Sequence, residues 1–423
     1  MKKITAAAAV FIGMFLFSCA AAEVGRDYAN SRGGQKTGPR IAREMKKERP
    51  EKIVNVLCYH RFVERKELPE HRIIRGHGDI YSITPENFES HLKYFKENEN
   101  VISMSRYLDW LDGKGDIPDR SLIITIDDGY RCTYAKAAPL LEKYSMPAVF
   151  YLYNDFMPGG KNALTKSMVR ELVERGFEIG SHSASHPNMA SNRQSRVFGG
   201  KKERFDDEEY LDFLVKETAD SKEYLENYLG VPVRTFSYPY GAYSEEIIPF
   251  VKAAGFEAAF SVVPSYNINS TPGYALKRHI VYNFTTIEDL KEKFAKKPLK
   301  IEIISPRDGW AGREGKLRLQ ARIVDDSKIN TSTVLFRMGR VTLENSSYNP
   351  QTKMLIYQYE KDLSWGTHKI AVIAEGNDGS DYEYAWQFVR KNPADKNLLK
   401  KRLKELKTKQ GDDDAGKKQK KGN

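Results

Sequence analysis

The sequence predicts an α/β protein, a parallel sheet covered by helices, followed by a small all-β sandwich. Three observations carry this. Strand-like and helix-like segments alternate from about Ile53 to Lys296, with glycines where helices should stop. Asp127, His182 and Tyr240 each stand at the C-terminal end of a predicted strand, where parallel sheets place their sites. After about Pro298 the helical period disappears and short alternating strands take over.

The elements follow in order. "IVNVLCYH" is an apolar strand ending at His60. "SITPENFESHLKYFKENE" opens a helix with Thr84 as N-cap and Pro85 at the first helical position. "SLIITIDDG" is a strand buried on both faces. "TYAKAAPLLEKYSM" reads as a helix despite Pro139, and "PAVFYLYND" as a strand. "TKSMVRELVERG" is a helix stopped at Gly176, and "FEIGSHS" a strand. "YLDFLVKETADSKEYLENYLG" reads as one long helix closed by Gly230. "RTFSYPYG" is a strand, "SEEIIPFVKAAG" a helix and "FEAAFSVV" a strand. Beyond Pro298, "KLRLQARIVDD", "KMLIYQYEKDL" and "THKIAVIAEGNDG" alternate in the sandwich manner.

Composition bounds the function. The net charge is +11, of which Lys391–Asn423 supplies twelve Lys/Arg against five Asp/Glu. Such a tail reads as a solvated basic segment, with an anionic envelope polymer or membrane surface as the alternative contact. No basic stripe with interleaved aromatics lies inside a folded segment, which argues against nucleic acid. No protein partner is identified. "MKKITAAAAVFIGMFLFSCAAAE" has the lysines, apolar run and small residues of an export signal. Within it "LFSC" resembles a bacterial lipobox, which would put lipid on Cys19 and anchor the protein to a membrane. Ordinary cleavage after Ala22 is the competing reading. The chain is expected to be exported to the periplasm or cell envelope. Cys58 and Cys132 are read as buried small hydrophobes.

The chemistry centres on "TIDDG", Thr125–Gly129. Two adjacent carboxylates at a buried strand end repel unless something positive joins them, and a divalent cation would. "SHSASHP" supplies His182 and His186 four residues apart, a spacing that a helix-like turn places on one side. One Asp and two His form a three-ligand set with open positions, as in catalytic zinc sites. The same ligands would also suit a non-haem iron site.

Together these residues resemble the polysaccharide deacetylases of the fourth carbohydrate esterase family. The family's "TFDDG", "HSxxH" and "RxPYG" motifs correspond to "TIDDG", "HSASH" (His182–His186) and "SYPYG" (Ser237–Gly241). The likeness covers about Ile53 to Lys296. It implies a distorted (β/α) barrel of seven or eight strands and removal of N-acetyl groups from an N-acetylglucosamine-containing polysaccharide. It implies a divalent metal, Zn2+ first, on Asp128, His182 and His186, with Asp127 as general base. The backbone N–H of Tyr240 would complete the oxyanion hole. "SYPYG" looks like the branch acting on β-1,6-linked N-acetylglucosamine polymers.

There are two departures from the family pattern. Ser237 stands where the third motif has Arg, and no later Asp-Trp motif is evident. The final "LxH" appears as "LKRH", Leu276–His279, one residue out of register. His279 is the candidate general acid, and Arg278 could supply the charge that Ser237 lacks. Tyr238, Tyr240, His60 and Arg278 are candidate substrate contacts. The altered third motif also admits a catalytically silent, glycan-binding envelope lipoprotein. The C-terminal sandwich resembles bacterial immunoglobulin-like modules through "WGTHKIAVIAEGNDGS" and "WQF". The expected organisation is signal 1–22, tether 23–52, deacetylase domain 53–296, sandwich 299–390 and basic tail 391–423.

Overall fold

The computed structural model describes residues 51–64, 78–157, 160–190, 195–198, 201–205 and 207–391. The expected export signal, Cys19, nearly all of the expected tether, and the basic tail beyond Lys391 lie outside the described residues. No helix among the described residues is long and apolar enough to cross a membrane.

Seven parallel strands form a half-barrel: β1 (Val54–Tyr59), β2 (Ser121–Ile126), β3 (Val149–Leu152), β4 (Glu178–Ser181), β5 (Thr235–Ser237), β6 (Ala258–Phe260) and β7 (His279–Ile280). Their order is β6-β5-β4-β3-β2-β1-β7, so successive strands are neighbours around the curve. All six residues of β1 and of β2 are buried, as strands covered on both faces must be. The segment before β7 closes the gap: Leu276 bridges Phe260 of β6, and three residues on His279 pairs with Leu57 of β1.

Alternation along the strands divides the core into two layers. Val54, Val56, Ile123, Val149, Tyr151 and Phe260 pack inside the barrel. Leu57, Tyr59, Leu122, Ile124, Phe150 and Leu152 pack outward against the covering helices. Helix α1 (Pro85–Asn98) contributes Phe88, Leu92 and Phe95 to that outer layer, and the Thr84 side chain accepts from Asn87 N at its start. Helix α2 (Met104–Leu111) plugs the N-terminal end of the barrel with Tyr107 and Trp110.

Two segments read as plain helices are interrupted. Around Pro139 the ladder begins as a π turn, Thr133–Ala137, before helix α3 (Ala138–Lys143). Proline offers no N–H to continue a regular ladder. The long helix closed by Gly230 is likewise two helices, α4 (Asp207–Val215) and α5 (Ser221–Leu229), joined by a π turn over Lys216–Asp220.

The C-terminal region is all β. One sheet holds β8 (Leu335–Met338), β9 (Val341–Leu343), β10 (Gly366–Glu375) and β11 (Asp381–Arg390). The facing sheet orders Ile301–Ser305, Arg318–Ile323, Met354–Gln358 and Ser347–Asn349. Leu319, Phe336, Leu355, Trp386 and Phe388 fill the space between. This region grips the half-barrel rather than trailing from it. Gln387 Nε2 of β11 donates to the carbonyls of Gly241 (3.1 Å) and Tyr243 (3.2 Å), inside the segment that carries "SYPYG". Glu245 N donates to Gly309 O at 2.7 Å, and Tyr243 hydrogen-bonds Asp308.

Candidate active site

The strand ends at the C-terminal mouth deliver the chemical groups. After β2 the chain turns sharply: Asp128 has φ 77° and Gly129 φ 78°. Gly129 fits because a Cβ there would meet Leu152 at 3.0 Å. The turn sends the two carboxylates in different directions, Asp127 into the barrel and Asp128 toward the histidine loop.

That loop is no helix. Ser183 (φ 74°) and His186 (φ 56°) both hold left-handed conformations, and Ser183 Oγ accepts from His186 N at 2.9 Å. A serine-anchored turn, not a helical face, brings the imidazoles together, their rings 4.7 Å apart. Glu217, on the π turn between α4 and α5, holds the loop from behind. Its carboxylate accepts from Ala184 N (3.0 Å), Ser185 N (2.8 Å) and Ser185 Oγ (2.6 Å). Strain concentrated at such a place is a mark of function.

Asp128 Oδ1 lies 3.5 Å from His182 Nε2 and 3.3 Å from His186 Nε2. The three ligand atoms fall within 4.8 Å of one another. His182 Nδ1 lies 2.7 Å from the Ser237 carbonyl, which can only accept, so Nδ1 carries the proton and Nε2 is left to bind. One carboxylate and two imidazoles with a side open to the mouth suit a divalent cation. Burial opposes the charge on Asp128, yet the two imidazoles beside it hold its carboxyl well below the usual range.

Asp127 has a different partner. Arg278 clamps it with two bonds, Nη1 to Oδ1 at 2.8 Å and Nη2 to Oδ2 at 2.7 Å. Arg278 also donates to Thr125 Oγ1 (3.0 Å), Ser237 Oγ (2.7 Å) and the Ser261 carbonyl (2.9 Å). Ser237 Oγ in turn donates to Asp127 at 3.2 Å. Burial alone would raise the Asp127 carboxyl, but the charge and hydrogen bonds of Arg278, together with the nearby His182 and His60, outweigh it and hold it at about 2. The carboxylate is therefore ionised at neutral pH.

Several sequence-derived placements need correction. His279 points away from this group: its neighbour Arg278 faces into the barrel, so alternation turns the His279 ring outward, toward Lys293 and Lys296. It cannot protonate a leaving group at the mouth. Arg278 is fully buried and spent on Asp127, so it is not a substrate contact. Tyr238 is also fully buried, packed on Phe236 and Tyr243 with its hydroxyl on the Tyr274 carbonyl, and cannot stack on a sugar. Tyr240 is 62 % exposed, with φ 59° and its ring 4.8 Å from that of His186. His60 lies at the mouth, where its ring, Cys58 Sγ and an Asp127 oxygen lie within 4.8 Å of one another. Cys58 and Cys132 are both free thiols, Cys58 buried and Cys132 partly so.

The sequence reading passed over Glu217. Its signal was present: it shares the buried stripe of Leu214, Ser221 and Leu225, where a charged residue needs a reason.

The profile of the polysaccharide deacetylase family matches residues 114–259, a span holding both metal-site motifs and "SYPYG". That match spans 146 of the 423 residues and makes the segment similar to the family; the chain is an enzyme. Among individual relatives, it is similar to a poly-β-1,6-N-acetyl-D-glucosamine N-deacetylase of Staphylococcus aureus, 24% identical over 208 residues, covering 48% of this chain and 68% of the relative. A Streptococcus pyogenes deacetylase solved with acetate aligns over 57% of this chain and 98% of its own (19% identity, TM-score 0.48). A de-N-acetylase from Aggregatibacter actinomycetemcomitans aligns over 56% and 98% (22% identity, TM-score 0.48).

Proposed function

We propose that the protein is a metal-dependent hydrolase that removes N-acetyl groups from an exported amino-sugar polymer, with β-1,6-linked N-acetylglucosamine as the first substrate to try. The observation that carries this reading is the division of labour at "TIDDG". Asp128 joins His182 and His186, while Asp127 is ionised, oriented and kept out of the ligand set by Arg278.

Asp128, His182 and His186 would hold a divalent cation, which would supply Lewis acidity toward the acetyl oxygen and water. Zinc suits the donors best. Asp127 accepts the proton of the attacking water, and Arg278 and Ser237 fix its oxygens so that it does so in one direction. The backbone N–H of Tyr240 donates to the oxygen on which negative charge builds. His60 is the histidine at the mouth outside the ligand set, and it takes the role of proton donor to the departing amine. The exposed ring of Tyr240 offers a sugar-stacking face.

Arg278 also answers the case for a silent scaffold. Ser237 lacks the charge of the motif arginine, and Arg278 brings that charge to Asp127 from the far edge of the barrel. The N-terminal segment is read as an export signal, with lipid on Cys19 or cleavage after Ala22. The C-terminal sandwich is read as an immunoglobulin-like accessory module.

Acetate release from β-1,6 and chitin oligomers and from peptidoglycan, with and without zinc, tests the assignment. Asp127→Asn and His182→Ala should each abolish release while leaving the circular dichroism unchanged. Release that survives either change, or survives chelation, refutes it.

A further inference from the structure

A second cleft, of about 210 Å³ and open to solvent, lies between the half-barrel and the all-β region. It sits on the outer face of the barrel and is lined by basic groups from both parts. The barrel contributes Lys293 and His279, and the all-β region contributes Arg337, Arg340 and Lys369. Arg337 is already paired with Glu383 at 3.0 Å. Lys293 donates only to the Asp289 carbonyl of its own helix, at 3.1 Å. Lys369 and Arg340 have no carboxylate partner among the described residues. Like charges gathered in a cleft repel one another, and Glu383, paired with Arg337, and Asp289, beside Lys293, offset them only in part.

His279 adds an independent sign. It is 4 % exposed, yet neither ring nitrogen has a hydrogen-bond partner. Leaving a buried polar group unpaired costs about 1–3 kcal/mol. A ring with one donor and one acceptor nitrogen, bordering a cationic cleft, is suited to a ligand whose oxygens approach it. Burial, with Lys293 and Lys296 nearby, holds the ring neutral by pushing its pKa down to about 3.

We infer that this interdomain cleft is an oxyanion-binding site, in which Lys293, Arg340 and Lys369 surround a phosphate- or carboxylate-class ligand and His279 hydrogen-bonds it. The inference stands apart from the deacetylase reading, because no group in it touches Asp127, Asp128, His182 or His186. The ligand has two conceivable sources. It is either a free small anion or an acidic substituent on a polymer reaching over from the mouth. The second route is short: Tyr282 lines the cleft, its ring lies 5.8 Å from that of Tyr81, and Tyr81 lies 5.1 Å from His60.

Calorimetric and thermal-shift titrations of the whole protein distinguish these outcomes. The probes are inorganic phosphate, against chloride at matched ionic strength, and a succinylated N-acetylglucosamine oligomer, against its neutral counterpart. Phosphate should bind the wild type and raise its melting temperature, as any ligand of the native state does. Lys369→Gln and Arg340→Gln should each weaken binding by about tenfold, the worth of one charge-assisted bond. Arg340 is exposed, so its variant keeps the fold even if the Lys369 variant does not. Binding of the succinylated oligomer alone, lost in the same variants, would assign the site to polymer substituents. If neither probe binds beyond its control, or both variants bind as tightly as wild type, the inference is overturned.

Discussion

At the residue scale the protein turns on two adjacent aspartates that share a strand end and little else. Asp128 faces two imidazoles, and Asp127 faces a guanidinium. The bidentate clamp explains why lysine cannot replace arginine here: an ammonium has no planar fork and would leave one carboxylate oxygen loose. Arg278→Lys should therefore lower kcat by about a hundredfold with little change in KM, the penalty expected for a misdirected catalytic group. Steady-state acetate release measures both. His60→Ala should also cut kcat, by roughly a hundredfold or more, if the ring protonates the departing amine. The same assay, with added small amines as external proton donors, should restore part of the loss.

Elements decide whether those residues meet. The ligand loop holds His182 and His186 only because its turn is pinned, from inside by Ser183 and from outside by Glu217. Glu217 sits where α4 gives way to α5 through a π turn, a local irregularity that points one side chain out of the regular ladder. Glu217→Gln keeps the shape but halves the acceptor character. Metal affinity, read by competitive chelator titration, should fall by about ten- to a hundredfold, as it does when groups behind the ligands are lost.

Much of this was legible in the sequence. The strand–helix alternation, the Thr84 cap and the glycine stops follow from local chemistry, and so do the carboxylates and histidines at strand ends. What escaped was set by distance in the chain. Which way the side chains at 278 and 279 point depends on how β7 pairs with β1, more than two hundred residues earlier. "LKRH" could not say whether the arginine or the histidine faces inward. Likewise the fate of Tyr238 depended on Phe236 and Tyr243 enclosing it. The π turns were invisible because helical periodicity survives a single slipped turn.

For the whole molecule, buried imidazoles set a pH limit. His91 is 1 % exposed, hydrogen-bonded to the Tyr59 hydroxyl at 3.1 Å, and burial lowers its pKa to about 4. His279 is depressed further, to about 3. Between these values and the ordinary 6.5 the unfolded chain binds more protons than the native one, so stability rises with pH across that window and is complete above it. The melting temperature should fall as pH drops from 7 toward 4.5, and His91→Asn should flatten the decline. Differential scanning calorimetry across that range checks it.

The Gln387 amide, reaching from β11 to the carbonyls of Gly241 and Tyr243, has a consequence for anyone who trims this protein. Cut away the last hundred or so residues and the proposed cation ligands keep every one of their own supports. The bend bearing Tyr240 loses its outside brace, and a backbone already wound left-handed has room to relax. Such a stub should still load metal at full stoichiometry yet turn over poorly. A shortened version made for convenience would then look like a dead enzyme when it is only an unbraced one.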